Sequence, residues 1–256
     1  MAHILAKIGW PAMQLEGGYK AYRQHLMTQI DDMAERYRFQ VVCGTTGSGK
    51  SRLLETLSSR GAQVLDLEKL AAHRGSLLGS LPGEPQPAQK MFESRIWNTL
   101  RHFSPKRGVF VESESKKIGN LRVPEKLMEA IRASSCIRID ISTRLRVQLL
   151  IEDYPHLASD TAQLMSQLEH LTPLHGREKI GRWRVLAESG DIPALVEALL
   201  TEHYDPAYLK SIDRNFSSYR NALAVDMPDI SAVAFASAAK GLLENGEALN
   251  ALRASS

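Results

Sequence analysis

Cysteine is scarce in this chain. Cys43 and Cys136 are the only two in 256 residues, and neither belongs to a C-x-x-C pair or a His-rich cluster. That excludes a disulfide-stapled scaffold and argues against a zinc site. Each lies in an apolar, strand-like run, so buried free thiols in a reducing compartment are expected. Long apolar runs are also missing. None approaches the roughly 20 residues a membrane helix needs, and "MAHILAKIGWPAMQ" has no extended apolar core followed by a cleavage site. A cytoplasmic protein with no membrane partner is expected. Charge of one sign is lacking too: the formal net charge is +3, which permits a nucleic-acid partner without requiring one. Hydrophobic content of 43% and charged content of 24% are those of an ordinary globular chain of one to two domains.

The most informative stretch is "VVCGTTGSGKSRLL", residues 41–54, which fits G-x-x-x-x-G-K-[ST]. Its context is the required one. "FQVVCG" reads as a β-branched apolar strand, and Leu53, Leu54 and Leu57 share one face of a following helix that Gly61 ends. "AQVLDLE", "GVFVESES" and "CIRIDIS" read as three more strands. "AQKMFESRIWNTLRHF", with Phe92, Ile96, Leu100 and Phe103 at helical spacing, and "TRLRVQLLIEDY" read as helices. "HRGSLLGSLPGEPQP" reads as a loop or lid. Short apolar strands alternating with helices predict an α/β fold: a P-loop NTPase-like parallel sheet with helices on both faces.

Three segments are expected. Residues 1–36 read as a short helix, a short strand, a Gly-Gly turn at Gly17 and Gly18, and a second helix, like the end of another domain. Residues 37–155 are the P-loop α/β unit. Residues 156–256 read as a helical C-terminal region, with Ile192, Leu195, Val196 and Leu199 on one stripe and an Ala-rich end.

A phosphate site is expected at Gly44, Thr45, Thr46, Gly47, Ser48, Gly49, Lys50 and Ser51. The glycines let backbone N–H groups form an anion nest at a helix N-terminus. Lys50 supplies a point charge, and the Ser51 hydroxyl suits Mg²⁺. Glu112 closes the third strand, where a carboxylate can hold a metal's water shell or act as a base; Glu114 follows two residues on. Asp66 and Glu68 close the second strand and can face the ligand, although Asp66 equally suits a helix N-cap. Arg144 and Arg146 follow the fourth strand, either closing over phosphoryl oxygens or lying on an exposed helix face.

"LDLEKLAAHRGSLLG", "QPAQKMFE", "VESESKKIGNLRVPEKL" and "HYDPAYLKS" occur in this order, preceded by "LAKIGWPAMQLEGGYKAYR". This series resembles the bacterial tRNA 2-selenouridine synthase family from residue 2 to about residue 212. The positions matching its pattern are Gly44, Gly49, Lys50, Ser51, Asp66, Glu68, His73, Arg74, Gly75, Ser76, Gln86, Glu112, Glu114, Ser115 and Gly119. The resemblance implies a transferase acting on 2-thiouridine at the tRNA wobble position. Such enzymes attach a geranyl group from geranyl diphosphate to the sulfur and then introduce selenium from selenophosphate. It also implies a rhodanese-like domain with a functional cysteine before the P-loop unit. Here Gly17–Lys20 matches that domain's end but no cysteine precedes it, so residues 1–36 are expected to be a remnant, in a truncated or short form of the protein. A rhodanese-type domain or protein is then a candidate partner, and selenium transfer is not expected of this chain alone.

On this resemblance the P-loop is expected to take the diphosphate of geranyl diphosphate. Lys50, Glu112 and Asp66 are the catalytic candidates, and Ser51 and Glu112 the Mg²⁺ ligands. His73 and Arg74 would contact the diphosphate or the tRNA, with a packed or capping His73 as the alternative. Leu77, Leu78 and Leu81 are candidate contacts for the lipid tail. "HGREKIGRWRVL", with Trp183 between Arg182 and Arg184, is the candidate surface for the tRNA anticodon loop, or else an exposed helix with a half-buried Trp. Two other functions fit the motifs: a P-loop small-molecule kinase or nucleotide hydrolase, and a non-catalytic tRNA-binding subunit.

Overall fold

The computed structural model describes residues 2–75, 84–154 and 161–254. The chain begins with α1 (Ala2–Lys7) and α2 (Gly18–Arg36). It continues through β1 (Phe39–Cys43), α3 (Lys50–Ser59), β2 (Gln63–Leu65), α4 (Leu67–Ala71) and α5 (Gln89–Leu100). Next come β3 (Val109–Glu112), a small antiparallel hairpin of β4 (Lys117–Ile118) and β5 (Leu121–Arg122), α6 (Glu125–Arg132), β6 (Ser135–Asp140) and α7 (Thr143–Asp153). The last part holds α8 (Thr161–Glu169), α9 (Thr172–Glu188), α10 (Ile192–Leu199), a π turn at Leu200–Tyr204, α11 (Asp205–Asn215), β7 (Leu223–Asp226) and α12 (Ala232–Ala254).

Five strands form one parallel sheet in the order β2-β3-β1-β6-β7. The central strand β1 is apolar throughout because both its faces are covered. On one face Val41 and Cys43 join Leu26 and Ile30 of α2, Phe92 and Ile96 of α5 and Leu127 and Ile131 of α6. On the other, Val42 joins Leu53, Leu54 and Leu57 of α3, Leu149 of α7 and Phe235 of α12. Burying each such Leu, Ile or Phe stabilises the fold by roughly 1.5–3 kcal/mol. This is the P-loop NTPase-like α/β arrangement. Both cysteines are free and buried in it.

Two local expectations are corrected. No strand forms between α1 and α2: residues 10–15 have no regular structure, and Trp10 and Met13 are exposed, because no strand lies beside them to complete a ladder. The C-terminal region is not helical throughout. β7 adds a fifth strand beside β6, and α12 returns to pack on α3. "LAVD" is too short to show an alternation of its own, and its position comes from pairing with a strand more than eighty residues earlier. Helix α2, within residues 1–36, packs Leu26, Ile30 and Met33 into the main core.

Helices α8, α9 and α10 enclose a separate cluster around Trp183. Val147 of α7 meets Val196 and Leu200, joining that cluster's helices to the P-loop unit. Among the described residues no helix is long and apolar enough to cross a membrane.

Candidate phosphate and metal site

The loop after β1 leaves the carboxyl edge of the sheet and turns directly into α3. Gly49 is the N-cap with φ 82°, and a Cβ there would lie 2.6 Å from the Phe235 ring, so only glycine fits. The first N–H groups of α3 have no intrahelical acceptor and open, with the positive end of the helix dipole, into a cavity of about 280 Å³. Thr46, Gly47, Ser48, Gly49, Lys50 and Ser51 line it. Gly44 and Thr45 lie beneath: the Thr45 carbonyl accepts from the Ser48 N–H at 3.1 Å, and a Cβ on Gly44 would strike the Ser48 hydroxyl. Lys50 donates to the Gly44 carbonyl at 2.8 Å and lies 5.9 Å from the Tyr208 ring centroid.

Glu68 and Glu114 form an acidic pair in the cavity lining, and a third carboxylate there, Asp153, is paired with Arg52. The Ser51 hydroxyl donates to Glu68 at 3.4 Å. Gly75, at φ 62°, presses its backbone against both carboxylates: a Cβ would lie 2.6 Å from Glu114 and 2.8 Å from Glu68. Glu112 is one layer down. It is 2% exposed, one carboxylate oxygen accepts the Glu68 N–H at 2.8 Å, and the other has no hydrogen-bond partner among the described residues. Burial, then the charges of Asp66, Glu68 and Glu114, hold the Glu112 carboxyl well above the usual carboxylate range. Burial and the neighbouring Glu114 push Glu68 up to about 8. Burial raises Glu114 as well, against the pull of Lys50.

Such crowding is costly without a cation, and the orphaned Glu112 oxygen marks the same deficit. Among the described residues no three His, Cys, Asp or Glu side chains are gathered as a metal cage. Glu112, expected beside Ser51 as a Mg²⁺ ligand, is not in the cavity lining because it is buried beneath Glu68 and accepts that residue's N–H; the donors that line the cavity are Ser51, Glu68 and Glu114, with room for phosphate oxygens and water. That set fits Mg²⁺, which keeps waters and takes one or two carboxylates beside a phosphate.

For the other candidate residues the structure selects among the alternatives left open. Asp66 caps α4, accepting the Lys69 N–H at 2.8 Å, and does not line the cavity; β2 ends one residue before the helix begins, so its carboxylate is used locally. Arg144 is exposed on α7 and outside the cavity lining. Two residues apart on a helix is about 200°, so Arg146 faces the opposite way and is buried. It donates to the Thr46 carbonyl at 2.9 Å and forms a bidentate pair with Asp205 at 2.9 and 2.5 Å. Arg74 does line the cavity, 4.4 Å from the Tyr154 ring centroid and donating to the Asp153 carbonyl at 3.3 Å. His73 is 8% exposed and its Nδ1 accepts the Gly75 N–H at 3.1 Å, the packed alternative. Burial lowers its pKa. Ser76, Leu77, Leu78 and Leu81 lie outside the described residues.

Trp183 is 1% exposed, on the Ile180–Trp183–Ala187 face of α9, and offers no stacking surface to a base. Its neighbours are paired: Arg182 and Lys179 with Glu202, Arg184 with Glu169. The helical region contributes residues that sequence reasoning missed. Tyr208 of α11 accepts the Gly44 N–H at 2.8 Å and lies 3.3 Å from the Ser113 hydroxyl, bridging the ends of β1 and β3. Tyr204 and Ala207 line the cavity beside it. The one available signal was the segment "HYDPAYLKS", which carries all of these together with Asp205.

Residues 37–176 match the family model described as the tRNA 2-selenouridine synthase AAA domain. Three similar proteins are each named tRNA 2-selenouridine synthase. The one from Nitrosomonas europaea is 38% identical over 143 residues, 55% of this chain and 37% of that protein. The one from Marinobacter nauticus is 30% identical over 222 residues, 76% of this chain and 59% of that protein. The one from Bdellovibrio bacteriovorus is 31% identical over 239 residues, 78% of this chain and 62% of that protein. The chain thus spans between 37 and 62% of the length of these relatives. The family match begins two residues before β1, takes in the phosphate loop and all three glutamates, and ends in α9, so it covers more than half of the chain. The chain belongs to the tRNA 2-selenouridine synthase AAA-domain family.

Proposed function

We propose that this chain carries the prenyl-transfer half of tRNA wobble-uridine modification, moving a geranyl group from geranyl diphosphate to 2-thiouridine on the way to 2-selenouridine. The observation that carries this reading is the single cavity in which the P-loop amides and Lys50 meet Ser51, Glu68 and Glu114. An anion nest beside a cation-hungry carboxylate pair suits a magnesium diphosphate, and such a nest recognises phosphate rather than adenine.

The chemistry asked of the protein is modest. The C1–O bond of geranyl diphosphate breaks with its electron pair leaving on the diphosphate, the tRNA sulfur forms the new S–C bond, and the N3 proton of 2-thiouridine passes to solvent as the C2=S double bond becomes C2=N3. Lys50 and the amides of α3 hold the oxygens on which that charge develops, where preorganised electrostatics contributes most. Ser51 and Glu68, with Glu114, would hold Mg²⁺, which when bound neutralises diphosphate oxygens as a Lewis acid. Glu112 positions Glu68 through its N–H. Arg74 closes the rim next to the diphosphate.

A tRNA anticodon loop is the proposed partner, in the cytoplasm, with the exposed arginines of α9 contacting phosphates rather than Trp183 stacking on a base. Both cysteines are buried, so selenium transfer from selenophosphate calls for a thiol from a rhodanese-type domain or protein. The kinase reading loses the two arginines after β6, since Arg146 is committed to Asp205 and Thr46 and Arg144 faces solvent, while Arg74 serves either reading.

The test is mass spectrometry of a 2-thiouridine anticodon stem-loop incubated with the chain, Mg²⁺ and geranyl diphosphate, without ATP. A geranyl mass increment that Lys50→Ala reduces by roughly 10²–10³-fold supports the proposal. No increment with the stem-loop bound contradicts it.

A further inference from the structure

Charge is segregated between the two edges of the sheet. The carboxyl edge holds the cavity and its carboxylates. At the opposite, amino edge, basic residues precede four adjacent strands: Arg36 and Arg38 before β1, Arg60 before β2, Arg101, Lys106 and Arg107 before β3, and Arg132 before β6. The strands start in register. Val109 of β3 pairs with Phe39 of β1 and Gln63 of β2, and Gln40 with Ser135 of β6, so the basic residues share one edge. Residues 36–38, 60–61, 101–108 and 132–135 contain no aspartate or glutamate. The whole chain has a net charge of +3, so these seven positive charges leave the remainder at −4. None of the seven forms an ion pair among the described residues. Glu35, next to Arg36, is turned to Lys126 of α6 at 3.6 Å. The edge is also held in place. Gln63 donates to the Ser104 and Arg107 carbonyls at 3.1 and 3.3 Å, and Tyr37 to the Leu100 and Phe103 carbonyls at 2.8 and 3.0 Å. The carbonyls of the loop before β3 are thus used inward, while Arg101, Lys106 and Arg107 are exposed.

We infer that this amino edge holds the phosphate backbone of the tRNA body, remote from the anticodon loop at the cavity; this rests on the proposed tRNA partner. Seven like charges gathered without counter-charges call for a polyanion. Six of them are arginines, whose planar fork suits phosphate oxygens. No large exposed apolar side chain occurs in these segments, so the anchor that an anionic membrane surface would also use is missing from them. β1 spans five residues, which sets the two edges roughly 17 Å apart. A tRNA extends well beyond its anticodon loop and can meet both. Phosphate contacts position an RNA without reading its sequence. The amino edge therefore supplies affinity for the tRNA body, and the cavity selects the nucleotide.

The experiment compares a full-length 2-thiouridine tRNA with its isolated anticodon stem-loop by fluorescence anisotropy, from about 50 to 200 mM salt. The proteins are the wild-type chain and Arg36→Gln/Arg60→Gln/Lys106→Gln. These three side chains are exposed, so an unchanged Tm verifies that the fold is kept. The triple variant is expected to bind full-length tRNA roughly tenfold or more weakly at low salt, with the slope of log K against log salt reduced by about 2–3. Its affinity for the stem-loop is expected to stay within about twofold. An equal loss for both RNAs, or a loss for neither, overturns the inference. So does variant-sensitive binding to phosphatidylserine vesicles that exceeds binding to tRNA, which would make the edge a membrane surface. Failure of the underlying reading looks different: the wild-type chain would bind neither RNA.

Discussion

Asp205→Asn separates the helical region from the P-loop with almost no change of shape. In the native chain the Arg146 side chain is 5% exposed and that of Asp205 22%. The guanidinium makes two bonds to Asp205 and one to the Thr46 carbonyl. Removing one partner of a buried pair costs about 3–5 kcal/mol. Asparagine keeps one acceptor and the site is partly open to water, so the expected loss is about 2–3 kcal/mol. In a chain of this size that lowers Tm by about 5–10 °C. Urea unfolding reads it as a lower midpoint at unchanged slope. Arg146→Met/Asp205→Leu, which leaves no buried charge, is expected to be less destabilised than Asp205→Asn, its remaining cost being the Thr46 carbonyl left without a donor. A single-variant loss below about 0.5 kcal/mol would mean that the pair behaves as a surface salt bridge and would refute the clamp. So would a double variant worse than the single.

Two further outcomes follow from the carboxylates and the helical core. Glu68 is held near 8 in the folded chain against an ordinary value of 4.5. The folded state therefore binds more protons than the unfolded state between these values, and this contribution to stability is complete below about pH 4.5 and lost as pH rises through about 8. In metal-free protein Glu68→Gln is expected to flatten that decline in urea titrations from pH 5 to 9; an unchanged slope would show that Glu68 titrates normally. Trp183→Ala is expected to cost about 3–5 kcal/mol by leaving a cavity, whereas Trp183→Phe leaves stem-loop affinity within about twofold. A large loss of binding with Phe, at unchanged stability, would return the residue to the interface.

The sheet and its P-loop were legible because their signals are local. An apolar strand, a glycine-rich turn and a leucine-striped helix occupy adjacent residues, and both faces of β1 are buried, which makes it uniformly apolar. The site's far wall was not legible. Tyr208 reaches Gly44 across 164 residues of chain, and nothing in a helix stripe says which turn meets a distant loop. Arg144 and Arg146 show the limit of reading by proximity. Both follow β6, but helical geometry sends one to solvent and the other inward. Asp66 shows the complementary case, a strand-end carboxylate claimed by the helix that starts next to it. β7 had no signal of its own, since a four-residue edge strand depends on its pairing partner. Trp183 was misleading because flanking arginines marked the surface while the i, i+3, i+7 face of α9 carried the ring into the core.

The central claim is that the P-loop holds a prenyl diphosphate as a leaving group and not a nucleotide to be split. The most direct test counts inorganic diphosphate released and geranyl groups gained by a 2-thiouridine stem-loop, in the same reaction, with no nucleotide present. One diphosphate per geranyl group, both lost in Lys50→Ala, is the expected result. Transfer that requires ATP, with phosphate released from the nucleotide, would contradict it.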